Sequence, residues 1–166
     1  MEEHKKEAAA LGPVRCAVFA ISDTRGEKED LSGKRLAELL TQAGHKVVAY
    51  QVMGNNPDLV KASIQEQIKG EADLIITTGG TGLSKKDSTI EVVSPLLDKV
   101  LPGFGELFRR LSYDQIGSAA FLSRALLGLA KEKIVVCLPG SPRAAELALT
   151  NLIVPELNHL VWEARR

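Results

Sequence analysis

An α/β fold on a mostly parallel sheet, with helices on both faces, is what this sequence predicts, and three features carry that prediction. Strand-like and helical patterns alternate as βαβαβ through the first half of the chain, the order from which parallel sheets are wound. The opening strand candidate is a short, continuous apolar run rich in β-branched residues, the pattern of a strand covered on both faces. Two later apolar runs, Ala125 to Ala130 and Lys133 to Leu138, are joined by a link too short for a helical crossover. They should therefore pair antiparallel, which adds one short antiparallel strand to the sheet.

Each element has a local reason. Val14 to Ile21 reads as the first strand, followed by a polar loop from Ser22 to Gly33. Lys34 to Ala43 has helical spacing at Leu36, Leu39 and Leu40, with Gly44 placed to end it. Val47 to Met53 is the second strand, and Asn56-Pro57 opens a helix with a capping residue and a proline at its first position. Leu59, Ile64 and Ile68 give that helix an apolar side and Gly70 closes it; Asp73 to Thr78 is the third strand. Helices are expected over Thr89 to Val100, broken or kinked at Pro95, and over Gly103 to Ile116. A long final helix should start at Pro142, be interrupted near Pro155 and end around Trp162.

The chain has 166 residues, enough for one domain, and 45% of them are hydrophobic, enough for a substantial core. Its 21 basic and 21 acidic residues balance, so nothing draws it to nucleic acid or to a membrane surface. No run is long enough to span a bilayer, and the charged, alanine-rich start is no signal peptide; a cytoplasmic protein is expected. Residues 1–13 are expected to form a flexible tail ahead of a single domain over 14–166. Cys16 and Cys137 lie in apolar strands and read as buried core thiols.

The residues suited to chemistry gather at strand ends. Thr78-Gly79-Gly80-Thr81-Gly82 follows the third strand; its glycines let backbone approach a phosphate and its threonine hydroxyls can donate to one. A bare strand-to-helix turn is the alternative, but three glycines in four residues exceed what a turn needs. The loop is neither a P-loop nor a dinucleotide fingerprint, because Ser84, Lys85 and Lys86 stand where those motifs require other residues. Asp87 fits either a Mg²⁺ ligand beside a phosphate or a helix cap, and spacing alone does not choose. Gly140 and Ser141, between a strand and the final helix, can bind an anion at a helix start or simply cap it. Ser22 and Asp23 leave the end of the first strand toward the same crest, and Ser123-Arg124 offers a guanidinium able to clamp a phosphate. His45 reads as structural, and no zinc spacing or nucleophile elbow occurs.

Together these stretches resemble the molybdenum-cofactor biosynthesis proteins of the MoaB/Mog family, which also includes the G domain of gephyrin. The matching segments are Ser22 to Gly26, Asp30 to Gly33, Thr77 to Gly82, Asp87 to Thr89, Pro102 to Glu106, Ser123 to Ala125 and Leu138 to Pro142. The resemblance spans about Arg15 to Leu160 and lies nearer the MoaB branch. It implies a three-layer α/β/α domain, assembled as a homotrimer or hexamer; the apolar Phe104, Phe108, Leu111 and Phe121 of the middle helices are the candidate contact surface. It implies binding of molybdopterin, a pterin with a dithiolene and a terminal phosphate. In active members it also implies transfer of AMP from Mg-ATP to that phosphate with release of pyrophosphate. Asp87 and Asn55 match the positions that assist that chemistry. Asn55, however, replaces an aspartate of the adenylylating members, and Lys86 replaces an arginine. An amide coordinates Mg²⁺ without adding charge, so the metal site is expected to be weaker and Asn55→Asp to raise adenylyl transfer. A molybdopterin adenylyltransferase and a non-catalytic pterin carrier are the two readings; an unrelated flavodoxin-like nucleotide binder is remote.

Overall fold

The computed structural model describes residues 1–166. The elements run α1 (Glu2–Ala9), β1 (Arg15–Ile21), α2 (Leu31–Gln42), β2 (Lys46–Met53), α3 (Pro57–Lys69), β3 (Leu74–Thr78) and α4 (Thr89–Val93). They continue with β4 (Lys99–Val100), α5 (Pro102–Ile116), β5 (Leu126–Ala130), β6 (Lys133–Leu138), α6 (Pro142–Ala148) and α7 (Val154–Ala164). Six strands form one sheet in the order β2-β1-β3-β6-β5-β4. Pairings β1–β2, β1–β3 and β3–β6 are parallel, and β5 runs antiparallel to both its neighbours. The expected mostly parallel sheet with one antiparallel strand is what forms.

Alternation along the central strands explains the three layers. Cys16, Val18, Leu74, Ile76, Ile134, Val136 and Leu138 join one core with Leu36, Leu40, Phe108, Leu149 and Leu157 from α2, α5 and the C-terminal helices. Ala17, Phe19, Ile75, Val135 and Cys137 point the other way, into a second core with Val60, Ile64 and Val93 from α3 and α4. Successive residues of a strand face opposite sides, so continuous apolar runs are needed where both sides are covered. Both cysteines are buried and free, and burial pushes each thiol up to about 12. No helix is long and apolar enough to cross a membrane.

Several elements differ from the sequence expectation. The first residues form α1, where a tail was expected: Asn158 donates to Gly12 O at 2.9 Å, Lys5 pairs with Glu156, and His4 lies against Trp162 with ring centroids 4.8 Å apart. A helix of 8 residues is marginal alone and takes its order from such contacts with α7. In α3, Val60 rather than Leu59 faces the core; Leu59 is exposed. The helix expected to Val100 stops at Val93, followed by a 3-10 turn over Ser94–Leu96 that contains Pro95, and Lys99–Val100 becomes an edge strand. The final helix widens to a π segment over Leu149–Ile153, which relieves the clash of the Pro155 ring with the preceding turn. Phe104 and Phe108, expected at a subunit contact, are buried in the chain's own core; Leu107, Tyr113, Ile116, Phe121 and Leu122 are the exposed apolar residues there.

Candidate functional site

The sheet reverses its direction of growth at β1, with β2 on one side and β3 on the other. Loops leaving β1 and β3 therefore diverge, and ligands enter open α/β sheets at such a point. A cleft of about 790 Å³ opens there. It is walled by Ser22–Arg25 after β1, Asn55 after β2, Thr78–Gly82 with Lys86 and Asp87 after β3, Leu122–Arg124 before β5, and Pro139–Pro142 after β6. Every residue the sequence nominated lines it. Only 4 of its 25 lining residues are hydrophobic, so it suits a strongly polar ligand.

Two glycines set the first loop. Gly79 has φ +104°, and a Cβ there would lie 2.2 Å from the Ile21 carbonyl oxygen. Gly80 has φ +68°, and its Cβ would lie 2.1 Å from Thr89 Oγ1. Only glycine fits both. The loop is fastened to its counterpart after β6: Gly79 N–H donates to Leu138 O at 2.9 Å and the Thr78 hydroxyl to Pro139 O at 2.8 Å. Thr78 thus ties the loops together, and its proton is not free for a phosphate. The Ser32 hydroxyl, at the start of α2, holds Gly140 O at 2.6 Å.

The amides of Gly80, Thr81, Gly82, Gly140 and Ser141 have no acceptor within the chain. Unpaired N–H groups on residues that wall one cleft are donors an anion can use. Ser141 also caps α6, its Oγ accepting from Ala144 N–H at 3.4 Å. Capping takes up a hydroxyl lone pair and leaves the Ser141 amide free, so the two readings of this loop coexist. The Ser22 hydroxyl accepts from Arg25 N–H at 3.2 Å and shapes the turn after β1.

The carboxylates are placed differently from what spacing suggests. Asp87 does not cap α4; its Oδ2 accepts from the Ser84 N–H and hydroxyl at 3.1 and 2.8 Å. That closes the loop and leaves Oδ1 without a partner. Asp23 receives the Asn55 backbone N–H at 2.8 Å and its side-chain amide at 3.3 Å. These bonds, helped by the charge of Lys86, hold the Asp23 carboxyl below the usual carboxylate range. Asn55 Oδ1 is buried with no partner. Mg²⁺ takes one or two protein oxygens beside phosphate oxygens and water. Asp87 Oδ1 and Asn55 Oδ1 are unpartnered oxygens of that kind on residues of the cleft wall, and no cluster of three His, Cys, Asp or Glu residues forms a protein-only cage.

Arg124 lines the cleft with its guanidinium already engaged by the chain. Its Nε and Nη2 donate at 2.8 Å to the carbonyls of Thr81 and Gly82, and it pairs with Glu91 on α4. Asp30, which the sequence offered only as part of a matching segment and without a role, caps α2 through Gly33 N–H at 2.9 Å and accepts from the Tyr50 hydroxyl. The Asp-x-Ser-Gly spacing was the available signal for Asp30 and Ser32.

The geometry agrees with what known proteins show. Residues 17–159 match the family described as "Probable molybdopterin binding domain". The chain is 49% identical to molybdenum cofactor biosynthesis protein B of Bacillus cereus, over 99% of this chain and 97% of the relative. A crystal structure of a molybdenum cofactor biosynthesis protein B superposes with a TM-score of 0.90 at 47% identity, covering 93% of this chain and 97% of the other. The tungsten cofactor synthesizing protein MoaB of Pyrococcus furiosus gives 0.84 at 38%, covering 93% and 98%.

Proposed function

The chain belongs to the molybdopterin-binding-domain family of molybdenum cofactor biosynthesis, and from that premise we propose that its cleft binds molybdopterin by the terminal phosphate and adenylylates it. The carrying observation is the set of unpaired amides in two loops fastened side by side over the strand ends. Gly80 to Gly82 and Gly140-Ser141 offer donors to phosphate oxygens, and a wall of few apolar residues suits a charged pterin and nucleotide. Asp87 and Asn55 would hold Mg²⁺, which when bound supplies charge neutralisation between ATP phosphates. Backbone amides stabilise the charge on the acceptor phosphate, and Lys86 and Arg25 in the wall add positive potential.

A second reading, a pterin carrier without adenylyl transfer, is favoured by a neutral Asn55 in the same cleft wall as Asp87. Pyrophosphate release from Mg-ATP in the presence of molybdopterin separates the two: release supports the transferase, and tight pterin binding without release supports the carrier. Loss of pterin binding altogether would refute both. On the same premise we propose a cytoplasmic homo-oligomer, trimer or hexamer, with the exposed Leu107, Tyr113, Ile116 and Phe121 as its apolar contact. Sedimentation at micromolar concentration should give a mass of three or six chains; a monomer rejects the assembly.

A further inference from the structure

Arg124 holds the carbonyls of two successive peptides of the glycine loop, Thr81 O and Gly82 O, each at 2.8 Å. A trans peptide is planar and its C=O and N–H point in opposite directions. Fixing Thr81 O on the guanidinium therefore turns the Gly82 N–H away from Arg124, and fixing Gly82 O does the same to the Leu83 N–H. Neither amide has an acceptor in the chain. Glu91 holds the far edge of the guanidinium, which sets the rotamer and neutralises the charge. Arg124 pulls Glu91 below the usual carboxylate range in return.

We infer that Arg124, braced by Glu91, is a positioning residue that aims the amide of Gly82, which lies in the cleft wall, at the phosphate of the ligand without touching it. The inference rests on the reading of the cleft as a phosphate site and adds how its donors acquire their direction. It also separates two roles that the same arginine could fill. A guanidinium in direct contact with phosphate acts largely through charge, which lysine keeps. A guanidinium that holds two carbonyls at once acts through its planar fork, which lysine lacks.

The test is titration of inorganic phosphate into the full chain, read by the backbone amide resonances of Gly82, Gly140 and Ser141, for wild type, Arg124→Lys and Glu91→Gln. In wild type all three amides should shift. In Arg124→Lys, the Gly82 response should collapse and affinity fall about fivefold, the size of one ordinary hydrogen bond. Gly140 and Ser141 should still respond, which also certifies the fold. Glu91→Gln, which keeps the packing of α4, should give the same pattern with a smaller loss. An unchanged Gly82 response in Arg124→Lys overturns the inference while leaving the phosphate site intact. Wild-type protein with no response at any of the three amides overturns the phosphate site itself, and the inference with it.

Discussion

The two ends of this sheet are built on opposite terms. At the end where β1 and β3 begin, Asp73 is almost completely buried and fully engaged. It accepts from the Arg15 N–H, Nε and Nη2, each at 3.1 Å, and from Arg165 Nη2 at 2.7 Å. Burial alone would push this carboxyl up, but the bonds and charge of Arg15, with the charge of Arg165, hold it below the usual range. At the other end, amides of two loops lack acceptors, and the Asn55 and Thr89 side-chain oxygens are buried without partners. Buried polar groups are normally paired. A rim that leaves them unpaired while the opposite rim saturates its own is holding hydrogen-bonding capacity for something outside the chain.

The largest effect on this contrast should come from Gly79→Ala. Its Cβ would meet the Ile21 carbonyl oxygen at 2.2 Å, a backbone atom that cannot step aside, at a φ that side chains rarely adopt. Overpacking plus a strained backbone should cost about 3 kcal/mol or more, measured as a shift in denaturation midpoint. A wild-type midpoint would mean that the loops are not locked together as described.

Asp73→Asn attacks the saturated rim. Removing the charge from a buried carboxylate flanked by two half-exposed arginines should destabilise the chain by about 2 kcal/mol, less than for a fully buried pair because solvent screens the partners. Phosphate affinity at the far rim should not change. The pH dependence follows from the sign of the shift: the folded carboxyl is depressed, so its contribution is present above the unfolded value of about 3.9 and is lost as pH falls through the lower folded one. Acid unfolding of Asp73→Asn should therefore lack that component below about pH 4. Identical acid curves for the two proteins would remove Asp73 from the account of stability.

The two rims were not equally legible in the sequence. The cleft announced itself because glycines and small hydroxyl residues follow the strands at Thr78 to Gly82 and at Gly140-Ser141, and strand-end position is fixed by βαβ order. The sheet was readable for a similar reason, since strands covered on both faces must be apolar throughout. Partners 58 and 92 residues apart, such as Arg15 and Arg165 with Asp73, leave no local trace. Direction was equally hidden. The sequence put Arg124 at the site but could not say that its donors face the loop carbonyls, nor that Asp87 turns to Ser84 and not to a helix start. Helix α1 was missed because its order comes from α7, more than a hundred residues away.

Ser141→Asp should act on affinity and spare stability. Aspartate caps a helix as well as serine does, so the bond now made to Ala144 N–H survives in kind. A carboxylate beside the free Ser141 amide repels the phosphate meant for it, and phosphate affinity should fall more than about tenfold. Equilibrium binding together with a denaturation curve checks both halves. Weakened stability with intact binding would make Ser141 a cap and nothing else.

The smallest effect expected, and the one that turns on a single pair of atoms, is that of Asn55→Asp. Read from the sequence, the change restores a carboxylate to the metal site. Read from the structure, it replaces the amide that donates to Asp23 Oδ2 at 3.3 Å with an oxygen, so two carboxylates meet where one was being held. Like charges that close disfavour joint ionisation. The consequence depends on whether a cation lies between them. At low Mg²⁺ the repulsion stands, and ATP affinity measured by calorimetry should drop about threefold, an effect of the size typical of exposed charge pairs. As Mg²⁺ rises, the cation gains a second carboxylate and the deficit should close. The double variant Asp23→Asn with Asn55→Asp reverses the pair while keeping one carboxylate and one amide, and its Mg²⁺ dependence should lie closer to wild type than that of either single change. If Asn55→Asp instead binds ATP more tightly than wild type at every Mg²⁺ concentration, Asp23 is too mobile to repel it. The amide at position 55 is then a weakness of the metal site and not the partner that holds Asp23 in place.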